Sequence, residues 1–232
     1  MFIIMIKVLV WCENIQNKTQ DDVKAVYPEG MHNTIADFLA KDPNISVETA
    51  TLDDPNCGIT EEKISKIDVV LWWGHVGHGQ VPDEVVELLY KNVVNRGMGI
   101  ICLHSAHYAK IFKRLMGTSC GLKIPPPGFG AEKLWTLLPG HPIAAGIPNP
   151  VEIEVEECYN EYFDIPQPDE LVFNAAFANC GSFRGGAAYH RGRGKVFYFQ
   201  PGHETFPIFR QKEIQEIIFN AVYWANNKTR GQ

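Results

Sequence analysis

Five of the chain's eight histidines lie just past short apolar runs that read as strands. His75 and His78 follow DVVLWW (Asp68–Trp73), His104 and His107 follow GIICL (Gly99–Leu103), and His203 follows KVFYFQ (Lys195–Gln200). Two carboxylates share this placement: Glu13 comes after the opening strand, and Glu204 is next to His203. One His at a strand end is usually just hydrogen-bonded structure. Three strand ends that each deliver one point to a shared site. Two chemistries fit it. Neutral imidazoles with a carboxylate suit zinc or another first-row divalent ion, with His75, His78 and His107 as the expected ligands, although the spacing is not H-E-x-x-H. The other chemistry is metal-free acid–base catalysis at His104 and His203, with Glu13 or Glu204 orienting the imidazole and raising its pKa.

The neighbours of these residues narrow the choice. Ser105 sits in the turn after GIICL with no G-x-S-x-G elbow around it, so a helix cap or a substrate hydrogen bond is expected rather than a nucleophile. Cys102 falls inside the apolar run and reads as a buried thiol. Trp11, Trp72 and Trp73 gather at strand ends, and aromatic faces beside polar groups suit sugar rings; core packing accounts for at least two of them. Lys110–Arg114 reads as a solvated basic helix face. Arg184, Arg191 and Arg193, beside glycines, read as hairpin turns and not as a phosphate loop.

Such residues need elements to hold them. Strand signals at Ile6–Trp11, Ser46–Leu52, Asp68–Trp73 and Gly99–Leu103 alternate with helix signals at Met31–Ala40, Glu61–Lys66, Val81–Asn95 and Ala106–Met116. That alternation predicts a parallel sheet with helices on both faces. Cys120–Ala131, with three consecutive prolines, reads as a loop. Strand-like runs then follow at Leu134–Leu138, Val151–Val155, Leu171–Ala178 and Gly186–His190 without an intervening helix, which predicts an antiparallel excursion. Lys195–Gln200 and an amphipathic helix over Glu213–Asn226 close an α/β pattern. In such a sheet, ligands bind beyond the carboxyl ends of the strands.

Composition agrees with one domain spanning 1–232. The 232 residues are 45% hydrophobic and 21% charged, which excludes disordered, collagenous and coiled-coil chains. A net charge of −6 argues against a nucleic-acid binder. No apolar run is long enough to span a membrane, and the apolar start lacks the basic region and cleavage site of a secretion signal. Six scattered cysteines without a C-x-x-C pair predict reduced thiols and a cytoplasmic protein.

Several motifs carry a family resemblance. YPEGMH (Tyr27–His32), WWGHVGH (Trp72–His78), LHSAHYAKIFKRLMGT (Leu103–Thr118), PGHPIAAGI (Pro139–Ile147), EYFDIP (Glu161–Pro166) and RGRGKVFYFQPGHETFP (Arg191–Pro207) occur in this order. Together they resemble the ThuA-like proteins of trehalose utilisation over nearly the whole chain. The resemblance implies a flavodoxin-like, class I glutamine amidotransferase-like three-layer α/β sandwich. It also implies a role with trehalose or related disaccharides, after oxidation to a 3-keto sugar by a partner dehydrogenase. His104 stands where the amidotransferases keep their nucleophilic Cys, so glutaminase chemistry is not expected. Relatives often read W-N-E-x-R-H after the first strand; here the segment is Trp11-Cys12-Glu13-Asn14-Ile15-Gln16. The expected sugar contacts are Trp11, Trp73, Ser105, Tyr108 and His32. A non-catalytic sugar-binding protein is the rival reading, and dimerisation is compatible with either.

Overall fold

A computed structural model describes residues 5–178 and 180–227. The first four residues of the apolar start, and residues 228–232, lie outside the described residues. Along the chain run β1 (Ile6–Cys12), α1 (Ile15–Thr19), α2 (Asp21–Val26), α3 (Met31–Leu39), β2 (Ile45–Thr51), α4 (Glu61–Ile64), β3 (Val69–Trp73) and α5 (Asp83–Lys91). They continue as β4 (Gly99–Leu103), α6 (Lys110–Met116), β5 (Phe129–Thr136), β6 (Val151–Glu157), β7 (Glu170–Phe177), β8 (Gly181–Arg191), β9 (Gly194–Phe199) and α7 (Lys212–Ala225).

Among the described residues, the nine strands form one mixed sheet in the order β2-β1-β3-β4-β9-β8-β7-β5-β6. The first five positions are joined by parallel ladders and the rest by antiparallel ones. Every residue of β3 and β4 is buried, as expected for strands covered on both faces. Helix α7 buries Ile214, Ile217, Ile218, Ala221, Val222 and Ala225, the face expected from its period. It lies so close to β4 that a Cβ on Gly99 would fall 2.6 Å from the Ala225 carbonyl oxygen. A glycine is required there because the helix backbone occupies the space a side chain would need.

The chain leaves β1 for β2 on one side and returns to β3 on the other, so the strand order reverses at β1. The carboxyl ends of β1, β3, β4 and β9 therefore open onto common ground, the usual ligand position in such sheets.

Several expectations need correction. Cys158 and Cys180 are joined by a disulfide, whereas Cys12, Cys57, Cys102 and Cys120 are free and buried. The expected helix over Ala106–Met116 is a 3-10 turn, His104–Tyr108, followed by α6. Strand β5 starts at Phe129, inside the expected loop, with a register shift against β6 between Gly130 and Glu132. Arg184 is not in a hairpin turn but within β8, where its guanidinium grips the Glu161 carboxylate. The basic face of α6 is partly paired: Lys110 meets Asp83 and Arg114 meets Glu87, both on α5. Helices α1 and α2 were not expected from the sequence. No helix among the described residues is long and apolar enough to cross a membrane.

Candidate functional site

His104 begins where β4 ends, and the turn is abrupt. Its φ is +52°, a left-handed conformation uncommon outside glycine. The ring is wholly buried. Nδ1 lies 2.9 Å from the Gln200 carbonyl oxygen, which can only accept, so Nδ1 carries a proton. Nε2 faces Glu157 Oε2 at 3.2 Å and the Tyr159 hydroxyl at 3.4 Å. Burial favours the neutral ring, but the Glu157 carboxylate and the charges of Glu156 and Glu204 outweigh it and raise the pKa to about 9.

His75 enters from the loop after β3. Its Nδ1 is 2.9 Å from each oxygen of Glu204, which leaves Nε2 as its free ring nitrogen. The His75 side chain is 26% exposed, the most open member of the group. Glu204, delivered by the segment after β9, is buried. Burial opposes its charge, yet the His75 hydrogen bond and the fields of His203, His75 and His104 lower its pKa to about 2. His203 completes a triangle of imidazoles. Ring centroids are 5.8 Å apart for His75–His104, 5.5 Å for His75–His203 and 5.4 Å for His104–His203. His203 Nδ1 lies 2.8 Å from Thr205 Oγ1 and accepts the Thr205 N–H at 3.3 Å. Burial and the charge of His104 hold the His203 pKa down at about 4.

The other expected residues divide. Glu13 does not orient a histidine: its carboxylate accepts the N–H groups of Val76 and Gly77, both at 2.8 Å, and so shapes the loop that carries His75. His107 is buried with Nδ1 donating to the Cys120 carbonyl, and His78 sits against Tyr108. Burial lowers the pKa of both, to about 3 and about 4. Ser105 caps no helix; its hydroxyl pairs with the Tyr159 hydroxyl at 2.7 Å. Trp11 is 1% exposed, stacked on Trp72 with centroids 3.8 Å apart, its indole N–H donated to the Cys57 carbonyl. Trp73 is equally buried and braces the Gly202 carbonyl. Tyr108 is exposed with Lys113 over its ring, while His32 lies apart, beside Asn14 and Gly30.

Four residues not expected from the sequence complete the site. Glu156 and Glu157, at the end of β6, are both buried. Glu156 accepts the N–H groups of Gly202 at 2.6 Å and His203 at 3.2 Å, anchoring the segment that carries His203 and Glu204. Glu157 faces His104; burial opposes its charge, but His104 and the other two imidazoles lower its pKa. Tyr159 stacks on His104 with centroids 5.1 Å apart, and burial holds its phenol protonated. Gln200 holds His104 Nδ1 through its carbonyl and donates its side-chain amide to the Glu157 carbonyl. Two sets bring one ligand atom each within 4.8 Å of one another: His75, Glu157 and His203, and His104, His203 and Glu204. Among the described residues, His78 and His107 belong to no such set.

A buried cluster of this kind can hold a proton at one nitrogen and accept one at another. Comparisons place the chain that carries it. A search of curated proteins returned no match. Among solved structures, a protein described as ThuA-like from Parabacteroides merdae superposes with a TM-score of 0.70 at 15% identity, covering 98% of this chain and 92% of that one. A second such protein, from Bacteroides uniformis, gives 0.68 at 14% identity over 95% and 91%. A protein described as part of a GMP synthase from Thermoplasma acidophilum gives 0.58 at 15% identity over 94% and 93%, so the fold is shared with the glutamine amidotransferase class. The family model for ThuA, trehalose utilisation, matches residues 7–225. The chain belongs to the ThuA family.

Proposed function

We propose that the chain is a sugar-processing enzyme of trehalose or disaccharide utilisation that acts on a 3-keto sugar by histidine acid–base chemistry. The observation that carries this reading is the His75–Glu204 pair within the imidazole triangle. A carboxylate on Nδ1 fixes the tautomer, leaves Nε2 free as a base, and stabilises the imidazolium once it forms. A C–H bond beside a ketone is acidic. Its proton passes to His75 Nε2 while the bonding pair moves onto the carbonyl oxygen, whose negative charge is favoured by the field of the buried His104 imidazolium, 5.8 Å from the His75 ring. This shifts the base from His203 to His75, the member a substrate can reach. His203 and Glu204 then serve to place and polarise it.

Glutaminase chemistry is not part of this reading. His104 occupies the turn, and Cys102 is buried within β4 with its pKa pushed up by burial. The α3–α7 pair and the α5–α6 pair, taken as the outer layers of a flavodoxin-like three-layer sandwich, would leave this end of the sheet uncovered for a sugar. The test is incorporation of solvent deuterium beside the carbonyl of a 3-keto-disaccharide, followed by mass spectrometry. His75→Ala should slow turnover about 10²–10⁴-fold, the usual contribution of a general base. Undiminished turnover in that variant would sink the proposal. Tight sugar binding by the wild type without turnover of keto or parent sugars would favour a binding protein instead.

A further inference from the structure

The imidazole cluster also has the build of a cation site, and the geometry points to a divalent first-row metal ion, zinc foremost, held by His75 Nε2, His203 Nε2 and Glu157. Three observations carry this. Each of these residues offers one ligand atom within 4.8 Å of those of the other two. Glu157 Oε2 is buried and makes no well-formed hydrogen bond; its near neighbour is His104 Nε2 at 3.2 Å, which leaves carboxylate lone pairs for an ion. Lastly, the ring nitrogens that would not bind metal have acceptors of their own. His75 Nδ1 is on Glu204, and His203 Nδ1 is 2.8 Å from the Thr205 hydroxyl. Metal-bound histidines are oriented in this way, by a carboxylate or another oxygen on the far nitrogen. Ligation through His203 Nε2 makes its Nδ1 a donor to that hydroxyl, and the longer contact from the Thr205 N–H is given up.

The alternative set of His104, His203 and Glu204 fits less well. Glu204 already has both oxygens on His75 and one on Gln16, and His104 Nε2 already faces Glu157 and Tyr159. In the chosen set Glu204 keeps its place as the outer carboxylate. Two histidines and a carboxylate leave a coordination position open for water or a carbonyl oxygen, the arrangement of catalytic rather than structural zinc. The ligand set differs from the one expected from sequence: His78 and His107 fall out and Glu157 enters.

With an ion bound, His75 Nε2 is a ligand and not the base of the keto-sugar reading, so the inference stands apart from that reading and its test uses no sugar. Full-length protein without a histidine tag is stripped with EDTA and titrated with Zn(II) by calorimetry and with Co(II) by visible absorption. One ion per chain is expected, with the intense d–d bands of low-coordinate Co(II). Glu157→Gln and His203→Ala should weaken binding at least 100-fold, and Glu204→Gln about 10–100-fold as an outer partner. His78→Ala and His107→Ala should bind as the wild type does. Circular dichroism checks that each variant folds; if His203→Ala does not, the two carboxylate variants decide. No binding below millimolar Zn(II) would overturn the inference. So would wild-type affinity in Glu157→Gln, or loss of binding in His78→Ala or His107→Ala with retention in His203→Ala.

Discussion

Apart from His203, whose imidazole rests on Thr205, each side chain at the centre is held by a partner from a distant part of the chain, and removal of that partner is felt at the site. Glu156 is the sharpest case. Its carboxylate accepts the N–H groups of both Gly202 and His203. A Gln can offer one carbonyl oxygen but must turn its amide donors toward the same region. Glu156→Gln should therefore destabilise the protein by about 1–3 kcal/mol, the cost of a buried group left unsatisfied. Turnover should fall as well, because His203 and Glu204 lose their anchor. Urea denaturation and the keto-sugar assay measure the two effects separately. The thiols give a second check at this scale. Cys102 is wholly buried in β4, so iodoacetamide should leave it unmodified in native protein and label it after denaturation, as read by peptide mass.

At the scale of elements, the segment after β6 is secured to β8 by an ion pair beside the Cys158–Cys180 disulfide. Glu161 accepts from Arg184 Nε at 2.8 Å and from its Nη2 at 2.9 Å, and also takes the backbone N–H groups of Phe163 and Arg184. Burial opposes the charge, but Arg184 and those N–H groups lower the Glu161 pKa overall. A depressed carboxylate pKa contributes stability that is present above the unfolded value of about 4.3 and is lost as pH falls through the folded one. The Glu161 side chain is about one-third exposed, so solvent screens the pair. Glu161→Gln should cost about 1 kcal/mol at pH 7, and the difference from wild type should vanish in acid; thermal melts across pH 3–7 would show it. Strands β3, β4 and β9 were legible because a strand buried on both faces is written as an uninterrupted apolar run. The end of β6 was not. VEIEVEE alternates like a half-exposed strand, yet its burial runs continuous at Glu156 and Glu157, where the segment meets the loops after β4 and β9. Acids at such a junction look solvated until their cross-chain partners are placed. Cys158 and Cys180 were missed for the same reason, since the return of β7 into β8 that brings them together leaves no mark in their spacing.

For the whole molecule, the question is whether the parallel and antiparallel halves behave as two units. The sheet argues for one. Strand β9 pairs with β4 over Ile100–Leu103 on one edge and with β8 over Gly186–Arg191 on the other, so every ladder is continuous through it. The site crosses the same boundary. His75 and His104 come from the parallel half, Glu156, Glu157 and Tyr159 from the antiparallel half, and the Gln200–Glu204 segment joins them. Opening either half alone would expose Glu156, Glu157 and His104 from opposite sides of one hydrogen-bonded network, a penalty no local gain offsets. Heat or urea should therefore unfold the chain in one transition, with far-UV dichroism and tryptophan fluorescence coinciding. Fluorescence is a fair probe of the parallel half because Trp11, Trp72 and Trp73 are buried there, whereas Trp135 in β5 is exposed. Amide exchange tests the same point by region: β4 and β8 should share one opening free energy. Exchange that released β5, β6 and β7 well before β4 would show two units instead. The site would then sit on a hinge between them, and Glu156→Gln would lower one transition and spare the other.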